Sequence, residues 1–326
     1  METALQRSRY ELKYLVDESM AREIRDYARH YLAADPHADP EKGFAYPIYS
    51  VYLDSPKLDL LHATVQGHAD RFKLRMRYYD GRPDSPVFFE IKRRYNNAIL
   101  KARAVVRRDA WRRLLLGASP DRYDLVDPTD AQSEIALRRF CQLGQRMGAR
   151  ARVLVVYTRE AWLTPDGNSA RMTFDRQLEG ARFDPEVDDT LTTRSDTWVK
   201  PPVRGVVLEL KFTDRFPHWM REMTQLFGLQ RCSFAKYVKC VHEMEPWRRS
   251  GNGAEGERMV LEQVAGEHSG AEQMMLEANN PSDAGDDAGL KGLTPAPAME
   301  RLPVPPVRLA VAAATAVHSM PHVAAG

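Results

Sequence analysis

The sequence is short of the residues that staple, anchor or thread a chain. Its 326 residues include three cysteines, Cys141, Cys232 and Cys240, an odd number with no CxxC pair. A disulfide framework is therefore not expected, and a reducing, cytoplasmic setting fits better. The nine histidines show no HExxH or similar ligand spacing, which removes the zincin class. The one GxGxxG run, GNGAEG at 251–256, lies in the polar tail with no strand pattern before it, and no GxxxxGK[ST] run is present, so a nucleotide would be held by side chains and not by a glycine-rich loop. No apolar run approaches the roughly 20 residues that span a bilayer, and the stretch 309–317 is too short. No secretory signal is visible either, because the opening residues lead straight into a charged strand pattern. There is no internal repeat at solenoid periods.

Charge is what the chain has in abundance. The formal net of +2 hides an asymmetry: residues 1–249 carry 43 basic against 35 acidic side chains, and 250–326 carry four against ten. A basic body is followed by an acidic tail of Gly, Ala, Glu, Asn and Pro. Composition sets the boundary at Trp247, so 1–247 are expected to fold as one domain. Residues 248–326 are expected to stay disordered, apart from a marginal helix at 259–278. The proline-rich piece at 303–307 reads as polyproline II, either in a passive tail, the favoured reading, or as a ligand for a partner.

The densest cationic stretch is 71–103. Phe72, Leu74, Met76 and Tyr78 alternate there with Arg71, Lys73, Arg75 and Arg77, the signature of a strand with one apolar and one cationic face. Turn chemistry at 80–83 leads into a second strand, 87–95, with Glu90, Lys92 and Arg94 on one face. Asn96 and Asn97 suit a tight turn into a third strand that carries Lys101 and Arg103. Such a meander puts Arg75, Arg77, Lys92, Lys101 and Arg103 on one wall, with Glu90 among them. Two like charges 4 Å apart repel by roughly 4 kcal/mol at an effective dielectric near 20, a cost that a bound polyanion relieves. The competing reading is the solvated outer face of an amphipathic sheet. Lys73, nearer a strand end, reads as solvated, and Arg94 and Arg107 as lying outside any enclosed space.

Other segments repeat the design. Arg9, Glu11 and Lys13 alternate with Tyr10, Leu12 and Tyr14, and Asp17 is placed to cap a helix that runs to about residue 34. Residues 46–54 read as a strand, with Ser55 and Pro56 capping and opening the next helix. Asp109 is expected to cap a short helix around Trp111, and a longer helix covers 130–147. Residues 152–163 form a strand, turn at 165–168 and return with Arg171, Thr173 and Asp175 on one face. An irregular piece, 176–203, precedes the strand 206–212, where Glu209 and Lys211 share a face. Helices close the pattern at 217–228 and 233–244. Trp111, Trp162 and Trp219 read as core or jacket residues. Charged inner faces, apolar outer faces and one-striped helices imply an α+β fold, a closed antiparallel β-barrel jacketed by helices.

Read in order, nine short runs resemble the VTC (vacuolar transporter chaperone) domain. They are RYELKY at 9–14, YSVYLD at 49–54, KLRMRYY at 73–79, FEIK at 89–92 and KAR at 101–103, then YTREAW at 157–162, RMTFD at 171–175, LELKF at 208–212 and AKYV at 235–238. Each is weak alone; jointly, over about 7–242, they are specific. That domain belongs to the triphosphate tunnel metalloenzymes. The resemblance implies an eight-stranded tunnel that makes polyphosphate from ATP with a divalent metal, Mn2+ or Mg2+. It assigns catalytic phosphate contacts to Lys13, Arg75, Arg77, Lys92, Arg159, Arg171 and Lys211. Further substrate contacts fall to Lys101, Arg103, Tyr157 and Lys236, and metal binding to Glu209, with Glu11 and Glu90 as additional carboxylates.

The residue types suit this chemistry. Arginine forks grip phosphate oxygens bidentately and lysine supplies a movable point charge, while a hard divalent cation takes carboxylate and phosphate oxygens. Two features depart from the related patterns. Superfamily triphosphatases begin GluxGluxLys where this chain has Arg9, Glu11 and Lys13, which favours the VTC type; Ala235 stands where a serine is usual. ATP and polyphosphate are the implied partners, beside a membrane protein encoded elsewhere. The alternatives are a triphosphatase or polyphosphate hydrolase in the same site, and a binding module without turnover. Whatever the function, a competing reading makes Glu11 and Glu90 salt-bridge partners of neighbouring cations and not metal ligands. Nucleic acid is disfavoured, because the cations alternate with acids and lack a face of stacking aromatics.

Overall fold

A computed structural model describes residues 9–95, 98–165, 169–188, 191 and 198–244. All belong to one compact unit, 7–283; a second unit, 1–6 with 284–326, lies outside the described residues. So do the expected turns at 96–97 and 166–168 and the whole tail from 245 onward.

The strands are β1 (Arg9–Val16), β2 (Ala33–Ala34), β3 (Ala45–Asp54), β4 (Asp70–Tyr78), β5 (Val87–Tyr95), β6 (Ala98–Val106), β7 (Arg150–Leu163), β8 (Ala170–Arg182) and β9 (Val206–Thr213). Helices α1 (Glu18–Ala28), α2 (Asp59–Val65), α3 (Trp111–Leu115), α4 (Ala131–Met147), α5 (His218–Leu226) and α6 (Lys236–Met244) flank them. No helix among the described residues is long and apolar enough to cross a membrane.

The ladder runs β1-β9-β8-β7-β3-β4-β5-β6, antiparallel throughout, with β2 added on β7. This overturns the closed barrel. The end strands β1 and β6 come near each other, but no ladder among the described residues joins them, and the sheet stays open. Alternation in the sequence says which face is charged. It does not say whether the outermost strands meet, which depends on tilt and stagger. Side chains bridge the seam instead: Lys92 Nζ on β5 lies 2.8 Å from Glu11 Oε2 on β1.

The helices do not all form an outer jacket. Val51, Leu74, Met76, Phe89 and Leu154 pack outward with α3 and α4, and Leu208, Leu210 and Met172 pack with α1 and α5. By contrast Ile48, Tyr52, Val155 and Tyr157, which share the charged face, pack with Leu61 of α2 and Tyr237 and Val241 of α6. Helix α6 presses so close to β8 that a Cβ at Gly180 would lie 2.7 Å from Cys240 Cβ. It fills part of the concave face and confines the charged space to a cleft.

Several element ends differ from expectation, each for a local reason. Asp17 does cap α1, its carboxylate accepting from the Met20 N–H at 2.8 Å. The helix stops at Ala28, however, because Ala33 and Ala34 pair with Trp162 and Leu163 at the edge of β7. Helix α2 begins at Asp59, and not at Pro56, because the buried Asp54 carboxylate takes the N–H groups of Ser55, Leu60 and Leu61. Asp109 pairs with Arg107 and leaves α3 without a side-chain cap. Strand β8 continues to Arg182, through residues whose polar composition hid a long pairing with β7. Trp111 and Trp162 are core residues, and Trp219 stacks on Tyr31 at 4.9 Å.

Candidate functional site

Register builds the first wall. Across β4, β5 and β6 the side chains fall in rows: Lys73, Lys92 and Lys101, then Arg75, Glu90 and Arg103. Glu90, at the centre of the second row, is fully buried. One of its oxygens accepts from Arg103 Nε at 2.7 Å and lies 2.7 Å from Lys101 Nζ; the other accepts from Arg75 Nε at 2.7 Å. Arg77 reaches sideways to Ser50 Oγ and the Tyr157 hydroxyl, both at 3.2 Å.

The second wall comes from β7, β8, β9 and β1. Arg159 donates to both oxygens of Asp175, at 2.6 and 2.7 Å, and to Glu209 at 3.2 Å. Glu209 also accepts from Lys211 at 2.6 Å and from Lys236 at 3.0 Å, with Lys13 at 3.5 Å. Lys13 lies 3.4 Å from Glu11 and donates to the Phe234 carbonyl at 2.8 Å. Arg171 donates to Asp35 at 2.8 Å and to the Tyr46 hydroxyl at 3.4 Å.

Between the walls lies a cavity of 230 Å³, room for on the order of eight waters or a short anionic chain. All the residues singled out from the sequence line it except Glu90, which sits below the cationic surface. Lys73, read as solvated, lines the cavity too. Arg94, read as outside, lines the adjoining mouth, and Arg107 is exposed away from both. Sequence reasoning also missed Asp175, Tyr52 and Asp35. Asp175 had a signal, since it alternates onto the face of Arg171. Asp35 had none, because only the pairing of β2 with β7 brings its loop to the site.

Burial and crowding set the charges. Burial raises the carboxyl of Glu11, yet Lys92 and Lys13 hold it well below its usual value. Glu209 is likewise raised by burial and overruled by Lys211, Lys236, Lys13 and Arg159. Glu90 is raised by burial and overruled by Arg75, Arg77, Lys101 and Arg103. All three carboxylates are ionised at neutral pH. On the other side of the balance, burial lowers Lys211 to about 8 despite Glu209, and burial together with Lys13, Lys92, Arg71 and Arg75 drives Lys73 well down.

The fit to a metal is partial. Among the described residues no group of three His, Cys, Asp or Glu side chains is arranged around a cation position. Glu11 and Glu209, which share Lys13, offer two hard oxygen donors; the remaining ligands of a divalent ion would come from phosphate and water. Glu90 has no oxygen to spare.

The fold neighbours are remote. They include the PH1819 protein of Pyrococcus horikoshii OT3 (13% identity, TM-score 0.36, covering 73% of this chain and 99% of that one). Another is HpAC1 of Hippeastrum, described as a candidate adenylyl cyclase with a dominant triphosphatase activity (10%, 0.41, 74% and 98%). A third is a candidate adenylate cyclase, bh2851, of Bacillus halodurans (11%, 0.37, 76% and 100%). At these TM-scores no functional inference is attached to them. No curated protein matches the chain. The model of the VTC domain family matches residues 8–245, well over half of the sequence, and the chain belongs to that family.

Proposed function

We propose that the cleft binds ATP beside the end of a polyphosphate chain and transfers the γ-phosphoryl group to that end, releasing ADP. The observation that carries this reading is the convergence of Arg75, Arg77, Arg159 and Arg171, with Lys13, Lys92, Lys211 and Lys236, on one cavity. In the reaction the bond from the γ-phosphorus to the ADP oxygen breaks, and a bond to a terminal oxygen of the chain forms. That attacking oxygen is already anionic and needs no base. The task of the protein is to hold two mutually repelling phosphate groups in line and to neutralise their charge. Arginine forks fix the equatorial oxygens, and the lysines leave their carboxylates to meet the phosphates. A divalent ion held by Glu11 and Glu209 would neutralise charge between substrate phosphates.

Hydrolysis in the same cleft is the second reading. It requires a base to activate water, and an efficient base has a pKa near the working pH. Glu11, Glu90 and Glu209 are all held well below that, which favours transfer.

The full chain, incubated with ATP and Mn2+, is expected to yield ADP and an acid-labile phosphate polymer in matching amounts. ADP with inorganic phosphate and no polymer would establish hydrolysis, and no turnover would leave a binding module. Glu209→Gln should lower kcat at least tenfold while keeping affinity for tripolyphosphate. Wild-type turnover by that variant at saturating metal would reduce Glu209 to a salt-bridge partner.

A further inference from the structure

The outer face of the sheet holds a second hollow. Where α3 and α4 end, over the last residues of β3 and the first of β7, a pocket of 320 Å³ opens between them. Its walls are Leu53, Leu114, Leu115, Phe140 and Cys141, all buried members of the core that the two helices make with the sheet. It shares no residue with the cleft. Burial pushes the Cys141 thiol up to about 11, so none of these walls is charged at neutral pH.

Gly144 makes the room. The buried stripe of α4 runs through Leu137, Phe140 and Cys141, and the next position on it, at a spacing of three and four residues, is Gly144. Glycine weakens a helix interior relative to alanine, and the backbone here does not ask for one. Gly117 and Gly148, at the edge of the pocket, have φ of +95° and +58°; Gly144 is not left-handed, and a Cβ on it would meet nothing within 4 Å. What its missing side chain supplies is space, where a helix packed on a core ordinarily presents an apolar group.

The rim gives that space a polarity. Both helix ends are capped by their own backbone: the N–H groups of Gly148 and Ala149 donate to the carbonyls of Gln145 and Gly144, and those of Gly117 and Ala118 to Leu114 and Arg113. Little of the negative end of either helix is therefore left open. Arg150 stands at the rim, exposed, and no carboxylate among the described residues pairs with it. Asp54, opposite it in the ladder of β3 and β7, is engaged by the N–H groups that open α2 and by the Tyr237 hydroxyl. The pocket is about twice the roughly 150 Å³ of an apolar cavity that admits benzene, which leaves room for a chain of on the order of ten carbons.

We propose that this pocket binds the aliphatic chain of a free, medium-length carboxylic acid, with the carboxylate on Arg150. A membrane leaflet is the poorer source of such a chain. The exposed acids Asp184 and Glu186 lie on the loop that Arg112 of α3 holds through the carbonyls of Pro185 and Glu186, and they would repel an anionic surface brought up to α3. The inference does not depend on the phosphotransfer reading.

The test is calorimetry on the full-length protein with hexanoate, octanoate and decanoate, below micelle-forming concentrations, and with decanol. One saturable site is expected, with affinity rising roughly fourfold per methylene until the pocket is full, and with decanoate roughly threefold tighter than decanol. Arg150→Gln should lose that preference and keep its affinity for decanol. Gly144→Leu should weaken every chain tenfold or more and raise the ligand-free melting midpoint, which reports an intact, better-filled core. Where leucine overfills the hollow and the midpoint falls, Gly144→Ala carries the comparison, with a higher midpoint and weaker decanoate binding. Tripolyphosphate affinity should be the same throughout. Absence of saturable decanoate binding, or wild-type affinity in the Gly144 variants, would overturn the pocket. Decanol held as tightly as decanoate by the wild type would overturn the role of Arg150. Flotation with phosphatidylglycerol vesicles that is lost in Gly144→Leu, without binding of free decanoate, would assign the pocket to a membrane lipid and overturn the free acid.

Discussion

Replacing Glu90 by glutamine separates a countercharge from a metal ligand. The side chain is wholly buried, and both its oxygens are taken by Arg75, Lys101 and Arg103. Removing one partner of a buried ion pair costs about 3–5 kcal/mol, because the other charge stays behind without compensation. Here the lower end applies, since Lys101 and Arg103 are 40% and 35% exposed and water screens them. A loss of about 3 kcal/mol moves the melting midpoint of a domain of this size down by roughly 6–12 °C. Burial raises Glu90, but its cations hold the folded-state carboxyl well below its usual value. Its stabilisation is therefore present at neutral pH and lost as the pH falls through that depressed value, so the gap between wild type and Glu90→Gln should close in acid. The decisive measurement is thermal denaturation with and without tripolyphosphate. The variant leaves three cations short of an acid, so the anion should raise its midpoint by more than it raises the wild type. If instead the apo midpoint barely moves while metal affinity drops sharply, Glu90 is a ligand and the charge argument is wrong.

The other expectations are simpler. Lys73→Met removes a cation whose cross-strand neighbour is Lys92, so it should stabilise the ligand-free protein by about 0.5–1 kcal/mol, roughly 1–4 °C. Burial and neighbouring cations lower the folded-state pKa of Lys73, so wild-type stability climbs as pH rises from that value to the unfolded one; the gain should be largest below the folded-state value, shrink across that window and be gone above the unfolded-state value. A midpoint that falls at neutral pH would mean that Lys73 has a stabilising partner. A chain ending after Arg249 should keep the fold and ATP turnover, because the family match ends at 245 and α6 at Met244; loss of both would show that the tail packs on the domain.

The sequence made the strand faces legible because a period of two leaves no freedom: once Arg75 faces the cleft, Lys73 and Arg77 must follow. The same logic identified Glu209 with Lys211, and Glu11 with Lys13. What it could not give was everything decided by contacts between distant segments. Closure of the sheet was one such case, since alternation is identical in an open and a closed sheet. The place of α6 was another: its apolar stripe fits either face, and only Tyr237, donating to Asp54 at 2.9 Å, shows that it packs inside. Lys73 was misjudged because its place near a strand end suggested solvent, whereas the loop that carries Arg231 comes over it.

The acids of the cleft divide by position, and the division says how the site can work. Glu90 and Asp175 lie off the cavity lining and aim arginines, Arg75 and Arg103 in one case and Arg159 in the other, while each also holds one lysine, Lys101 and Lys236. Glu11 and Glu209 lie on the lining and hold mainly lysines, Lys92 and Lys13 for the first, Lys211, Lys236 and Lys13 for the second. A guanidinium is a planar fork that keeps donors free while two are engaged, so a buried acid aims it without using it up. An ammonium on a flexible stem can leave one anion for another at little cost in geometry. In the proposed reaction the arginines would therefore form a preset cradle, and the lysines an exchangeable charge able to pass from carboxylate to phosphate. An anion entering such a cleft need not wait for the walls to rearrange; it has only to outbid Glu11 and Glu209 for lysines that already point at it.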